Sequence, residues 1–489
     1  MKRTSPHPRP EWSWRAIGVK YLPFADSATA ELPLGRLLRL SLFQISVGMA
    51  AVLLIGTLNR VMIVELAIPA WLVATMISLP LVFAPLRMLV GHRSDTHRSV
   101  LGWRRVPYIW FGGLLQFGGL AIMPFALLLL SGDSHAPPII GEVGAALAFL
   151  LAGAGLHTTQ TAGLALATDL APAHVRPKVV ALLCLMLLVG TVVAAVGFGL
   201  LLTPFSELRL IQVVQGSAAV TLILNAVALW KQEPRRRFAQ PAQAPTPRFR
   251  DAWAAYARVG RSGRRLLAIG LGTVAFSMQD VLLEPYGGKI LHLPVGATTS
   301  LTALLAVGGG AGLALAARAL ERGADPYRVS GFGALAGLIA FASVTLAAPT
   351  ASTGLFALGV ALVGFGAGLF AHGTLTASMA IAESDATGLA LGVWGSVQAL
   401  AAGLAIASGG LISDGVGALA RQGRLGPALT GAATGFSAVY LIELILLFLT
   451  LVALGPLVGQ GAGSASRTSN LGGSTTLPAG PAALGGANV

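Results

Sequence analysis

LLRLSLFQISVGMAAVLLIGTL, residues 37–58, is an apolar run broken by a single charge, Arg39. A hydrocarbon layer about 30 Å thick is crossed by roughly 20 residues of α-helix. Lipid offers no hydrogen bonds to a bare backbone, so only a helix or a closed barrel can cross it, and a barrel strand would alternate polar with apolar. Residues 37–58 do not alternate, so they read as a transmembrane helix.

Windows of the same kind recur along the chain, at 66–90, 107–130, 139–168, 179–203, 209–230, 266–284, 295–317, 328–348, 352–382, 387–412 and 433–457. The 489 residues are 55% hydrophobic and only 11% charged, and the mean hydropathy is +0.76. No soluble domain of this size keeps that balance. The fold class expected is an all-α polytopic membrane protein of about twelve transmembrane helices.

The formal charge of +14 could be taken for nucleic-acid binding, but its distribution has another cause. If the N-terminus is cytoplasmic, 28 of the 33 lysines and arginines fall on the cytoplasmic side, leaving Arg60, Arg209, Lys289, Arg421 and Arg424 outside. That is the positive-inside asymmetry of a multi-pass protein in contact with anionic lipid. The first twenty residues have no apolar core and do not read as a signal peptide. Cys184, alone and inside an apolar run, excludes a disulfide framework.

Residues 231–265 hold Pro234, the Arg235–Arg237 run, Pro241, Pro245 and Pro247, so they form a cytoplasmic linker rather than a span. The chain therefore divides into a cytoplasmic arm (1–36), a six-helix half (37–230), the linker (231–265), a second six-helix half (266–458) and a disordered tail (459–489). Two halves of six spans match the repeats of secondary transporters. Gly153-Ala-Gly-Leu-His157, running to Asp169 in the fourth span, resembles Gly366-Ala-Gly-Leu-Phe-Ala-His372, running to Glu383 in the tenth.

Ionisable groups at membrane depth are costly and hence candidates for function: Glu65, Asp169, Asp280, Glu284, Glu383, Asp414, Glu443, His157, His292 and His372. Most of the acids lie near span ends, where capping explains them equally well. Asp280 and Glu284 are harder to dismiss. They stand four apart on one helical face, just before Pro285, Gly287 and Gly288, which are expected to break the helix. With Arg60 and Glu65 at the equivalent end of the first span they read as a gate. A lone histidine in a bundle is usually hydrogen-bonded to a neighbour, but a neutral imidazole can also ligate a metal. No nucleotide-binding loop and no catalytic constellation is present, so neither ATP use nor enzymatic activity is expected.

The loop after the second span, Gly91-His-Arg-Ser-Asp95-Thr-His-Arg98, is similar to the signature loop of the major facilitator superfamily, in which Gly91, Asp95 and Arg98 would lock one conformation. Together with Leu58-Asn-Arg-Val-Met-Ile-Val-Glu65, Gly102-Trp-Arg-Arg-Val-Pro-Tyr-Ile-Trp110, Met278-Gln-Asp-Val-Leu-Leu-Glu-Pro-Tyr-Gly-Gly288 and Gly392-Val-Trp394-Gly-Ser-Val-Gln398, it resembles the PucC/LhaA family, the bacteriochlorophyll delivery branch of that superfamily. Tyr21-Leu-Pro-Phe-Ala-Asp26 and Glu31-Leu-Pro33 look more like the LhaA type than the PucC type.

The resemblance implies a factor for light-harvesting antenna assembly, with LH1 the expected target, in the intracytoplasmic photosynthetic membrane of a bacterium. It would carry bacteriochlorophyll or a late precursor, and its partners would be antenna polypeptides, pigment-synthesis enzymes and the membrane insertion machinery. His157, His372 and His292 are then the candidate ligands of the pigment magnesium. The alternatives are a proton-coupled transporter of a small solute and a pigment-free assembly scaffold.

Overall fold

A computed structural model describes residues 32–82, 103–131, 137–172, 175–233, 261–380 and 387–459. The loop carrying Gly91, Asp95 and Arg98 lies outside these residues, as do Glu383, most of the arm and linker, and the tail beyond 459. Among the described residues there are no strands. The first half holds α1 (Leu34–Val64), α2 (Ala70–Val82), α3 (Val106–Leu130), α4 (Pro138–Leu170), α5 (Arg176–Leu201) and α6 (Glu207–Leu229). The second holds α7 (Ser262–Lys289), α8 (Val295–Glu321), α9 (Pro326–Ala347), α10 (Thr353–Ala380), α11 (Thr387–Arg421) and α12 (Thr434–Leu454). All but α2 are long and apolar enough to cross a membrane by themselves. The span expected at 66–90 begins with α2, and its remainder from 83 onward is not described.

The packing repeats between the halves. In the first, α1 packs on α5 and α6, α3 on α4 and α6, and α2 on α4; in the second, α7 packs on α11 and α12, α9 on α10 and α12, and α8 on α10. Contacts between halves obey the same exchange: α2 meets α11, α5 meets α8, and α1 meets α7. The membrane-facing surface is apolar, with Phe111, Phe125, Ile223, Phe332, Ile339 and Phe448 exposed, the reverse of a water-soluble bundle.

Small residues set the closest approaches, because lipid tails are as apolar as leucine and helices in a bilayer associate through van der Waals packing. A Cβ on Gly364 of α10 would stand 2.0 Å from the Leu305 carbonyl oxygen of α8, and one on Gly312 of α8 would stand 2.2 Å from the Phe365 carbonyl oxygen of α10. In the first half a Cβ on Gly155 of α4 would meet the Gln116 backbone nitrogen of α3 at 2.3 Å.

At the N-terminal side of the bundle the chain ends are tied in matching ways. Glu233, just past α6, accepts from the backbone N–H groups of Arg104, Arg105 and Val106 at the start of α3. Asp325 caps α9 through Tyr327 and Arg328 and also accepts from the N–H of Gly459, just past α12. Asp169 pairs with Arg105 at 3.1 Å, so this acid serves a helix end.

Replacing Gly364 by Ala is expected to lower the apparent melting temperature in detergent, by about 1–3 kcal/mol of stability, as overpacking does. Gly395, whose Cβ would meet nothing within 4 Å, provides the control. Its change to Ala should leave the temperature level or raise it, because Ala favours helix.

Candidate functional site: the seam between the halves

Twelve alternating helices place the ends of α1, α7 and α11 and the starts of α2, α8 and α12 at one end of the bundle, the end away from the N-terminus. Polar side chains cross between the halves there. Neither α1 nor α7 is a regular helix as it approaches this end. In α1 a π-helical stretch, Val52–Thr57, precedes Asn59 and Arg60, and in α7 a 3-10 turn, Met278–Val281, contains Asp280. Such interruptions shift the register of the side chains that follow and recur at functional sites.

The position of the break corrects the sequence expectation. Pro285, Gly287 and Gly288 do not end the helix, which resumes as Leu283–Lys289 straight after the 3-10 turn. Pro285 falls in the first turn of that segment, where no helical partner awaits its missing N–H. Nor do Asp280 and Glu284 work as a pair on one face, because the winding changes between them. Asp280 is half-buried and accepts from the side-chain amide of Gln279, whereas Glu284 is buried and accepts from the Thr302 hydroxyl of α8. Glu284 also presses on α1, where a Cβ on Gly56 would lie 2.5 Å from its Oε1.

Arg60 is the buried cation of the seam, 3% exposed. It is ion-paired with Glu65 of its own half, and its Nη2 donates to the Leu293 carbonyl of the other half at 3.1 Å. Its guanidinium lies over Gly288, where a Cβ would come within 3.0 Å of Nη2, so the glycine provides the room. Asn59 donates to the Asp280 carbonyl at 3.3 Å, again from one half to the other. A third crossing joins α11 to α2: Asp414 accepts from the backbone N–H of Trp71 at 2.8 Å. These bonds hold the two halves together at this end.

The histidines do not form one site. His292 lies exposed on the turn after α7, with a left-handed φ of 54°, beside the Leu293 that Arg60 binds. His157 and His372 are half-buried in α4 and α10, at the same interval from the first residues of their helices, Pro138 and Thr353. That interval is about 28 Å at ~1.5 Å per residue, so both stand well away from the seam. Each backbone carbonyl accepts from a threonine one turn later, Thr161 and Thr376 respectively, which extends the internal repeat. The His372 ring has no hydrogen-bond partner among the described residues.

Glu443 is not a span-end acid like the others. It sits midway along α12, fully buried, with no side-chain hydrogen bond to either oxygen among the described residues and the backbone N–H of Gln279 facing it. Beside the seam, Glu65 with Leu127, Leu210 and Val214 lines a cavity of about 210 Å³. That is below the ~300–1,000 Å³ of sites for drug-sized molecules. A tetrapyrrole does not fit in it.

This architecture is the two-half helical fold of major facilitator type transporters. A bacterial homologue of the lysosomal transporter Spinster, solved inward-facing and unoccupied, shares the fold with a TM-score of 0.65 over 86% of this chain and 95% of that one, at 16% identity. Within the class, the family model described as PUCC protein matches residues 57–462, and the chain belongs to that family.

Protein PucC of Rhodovulum sulfidophilum is 56% identical over 82% of this chain and 89% of its own length. A Rhodobacter capsulatus protein described as uncharacterized, in the puhA-bchM intergenic region, is 52% identical over 91% of this chain and 94% of its own. More remote is the bacteriochlorophyll synthase 44.5 kDa chain of the same species, 28% identical over 87% of this chain and 96% of its own.

Arg60→Ala would remove the ion pair to the partly exposed Glu65 and leave the half-buried Leu293 carbonyl without its donor, a loss of about 1–3 kcal/mol. A marked drop in thermal stability in detergent is expected. Arg60→Lys should recover only part of it, because an ammonium lacks the planar fork that reaches two acceptors at once.

Proposed function

We propose that this protein is an assembly factor for the light-harvesting antenna, LH1 in particular, that binds bacteriochlorophyll or a late precursor in the photosynthetic membrane and hands it to nascent antenna polypeptides. The observation that carries this reading is the family match, which runs through both halves and includes relatives named PucC and one named for bacteriochlorophyll synthase. Assignment to LH1 rests on the LhaA-like residues 21–33 alone. Antenna polypeptides, pigment-synthesis enzymes and the insertion machinery are the partners this reading proposes.

His372 is the favoured magnesium ligand: a half-buried imidazole within a transmembrane helix, its ring without a hydrogen-bond partner among the described residues. His157 at the equivalent position of α4 is the second candidate, and His292, exposed at the opposite end, is the weakest. A pigment with a hydrocarbon tail reaches such a site sideways from the lipid. On this reading the seam serves as a hinge between the halves, and crossing of the bilayer is not needed.

A second reading, transport of a small solute, draws on one observation: the cross-half bonds close one end of a bundle whose fold is shared with an inward-facing transporter.

Purification in mild detergent from a pigment-producing bacterium separates the readings. The expected result is a protein with bacteriochlorophyll absorbance near one pigment per chain, lost several-fold in His372→Ala and retained in His292→Ala. A colourless protein that co-purifies with antenna polypeptide would overturn the proposal in favour of a scaffold.

A further inference from the structure

The second half contains three carboxyl groups at the heart of its packing, and one of them receives no side-chain hydrogen bond among the described residues. Asp280 is satisfied by Gln279, and Glu284 receives the Thr302 hydroxyl through one oxygen. Glu443 is 0% exposed; no side chain among the described residues hydrogen-bonds to either of its oxygens, and the backbone N–H of Gln279 is the donor that faces it. It stands about 14 Å down α12 from the distal end, counting ~1.5 Å per residue, close to the middle of the membrane. A charged carboxylate there is shielded from bulk solvent, and no cation among the described residues pairs with it.

Those elements can be named in turn. From α7, Asp280 is near enough to repel the Glu443 carboxyl, and Glu284 and Tyr286 follow it. On α12 itself the buried Tyr440 hydroxyl, three residues before Glu443, interacts with it electrostatically and has no hydrogen-bond partner. On α11, Asp414 and Arg421 stand at the distal end, and on α9, Tyr327 and Arg328 stand at the opposite end. The cation of the seam, Arg60 of α1, is engaged by Glu65 and Leu293.

The neighbouring polar groups point to one kind of occupant. On the turn that faces Glu443, the Gln279 side-chain oxygen is buried and unpartnered; farther along the seam the second oxygen of Glu284 and the Asn59 side-chain oxygen are too. The unpartnered atoms of Glu443, Gln279, Glu284 and Asn59 are acceptors; the hydroxyls of Tyr440, Thr57 and Thr299 can donate as well, and the Nε of Arg60 is an unpartnered donor on the first-half side of the seam. Around Glu443 itself the acceptors are in excess, two of them carboxylate oxygens on one group, and call for positive charge. No cluster of three or more His, Cys, Asp or Glu able to hold a metal ion exists among the described residues, which argues against a divalent metal.

We propose that Glu443, with Asp280 and Gln279 facing it from the break in α7, is the binding site of a small monovalent cation, a proton or a sodium ion, within the second half. The site adjoins the seam. The carbonyl of Asp280 is the group that Asn59 of the first half binds, so loading or emptying the site acts on a residue that joins the halves. The inference rests on the packing of α7 and α12 and stands whether or not the protein carries pigment.

Dicyclohexylcarbodiimide, which reacts with protonated carboxyl groups in apolar surroundings, tests it on the full chain in lipid nanodiscs, with labelling read at the Glu443 peptide by mass spectrometry. A proton site gives labelling that falls several-fold from mildly acidic to alkaline pH, is indifferent to sodium and vanishes in Glu443→Gln. A sodium site gives labelling that sodium suppresses at constant pH and potassium does not.

Infrared difference spectroscopy removes dependence on reagent access. A protonated-carboxyl band, sodium-sensitive in the second case, should be present in the wild type and missing in Glu443→Gln, whose fold is checked by circular dichroism. Absence of both label and band at every pH, with and without sodium, would overturn the proposal.

Discussion

A guanidinium buried between two halves of a membrane protein constrains everything around it. Arg60 cannot discard its charge, so it needs acceptors, and its two terminal nitrogens find them in Glu65 and in the carbonyl of Leu293 across the seam, while its Nε stays unpartnered among the described residues. Meeting that need shapes its surroundings. Residue 288 has no side chain because the guanidinium occupies its space, and Gly56, one turn before Arg60, admits the Glu284 carboxyl. The π stretch of α1 and the 3-10 turn of α7 present these groups to each other. An ion pair with one member buried and the other at the surface adds little net stability, and what its loss removes is the bond across the seam to Leu293. Such a contact suits a joint with one well-defined closed state better than it suits permanent cement.

Much of this architecture was legible in the sequence, for a physical reason. Continuous apolar windows have one solution in lipid, and clustered positive charge has one favoured side, so span count and arrangement follow from residues such as 37–58 and from the linker at 231–265. The repeat of His157 and His372 was equally visible, and their helices hold them at matching positions. The exact helix break was not. Pro285 and its glycines look like breakers, but proline in a first turn breaks nothing, and the interruption at Met278–Val281 has no composition of its own. Tertiary demand, the reach of Asn59 to the Asp280 carbonyl, accompanies that turn.

The acids show the same division. Asp169 and Asp414 lie near helix ends and do what acids there do, one pairing with Arg105 and the other receiving the Trp71 amide across the seam. Glu443 differed from them only in depth along its span, a signal that was present but outweighed by the pair at 280 and 284. Its missing side-chain partners depend on how α7 and α12 meet, which sequence spacing does not encode. His157 and His372 stand well away from the seam, toward the other end of the bundle, so cargo binding at them and closure at the seam would be coupled through the rigid halves rather than by contact.

The central claim is that Arg60 and its partners hold the two halves closed at the end away from the N-terminus. Electron-electron resonance between spin labels tests it directly, in a Cys184→Ser background with labels at Leu208 of the first half and Leu429 of the second, both exposed near that end. The account predicts one narrow distance distribution in the otherwise unaltered protein and a longer, broader one when Arg60 is changed to Ala. An unchanged narrow distribution in the Arg60→Ala protein would contradict it.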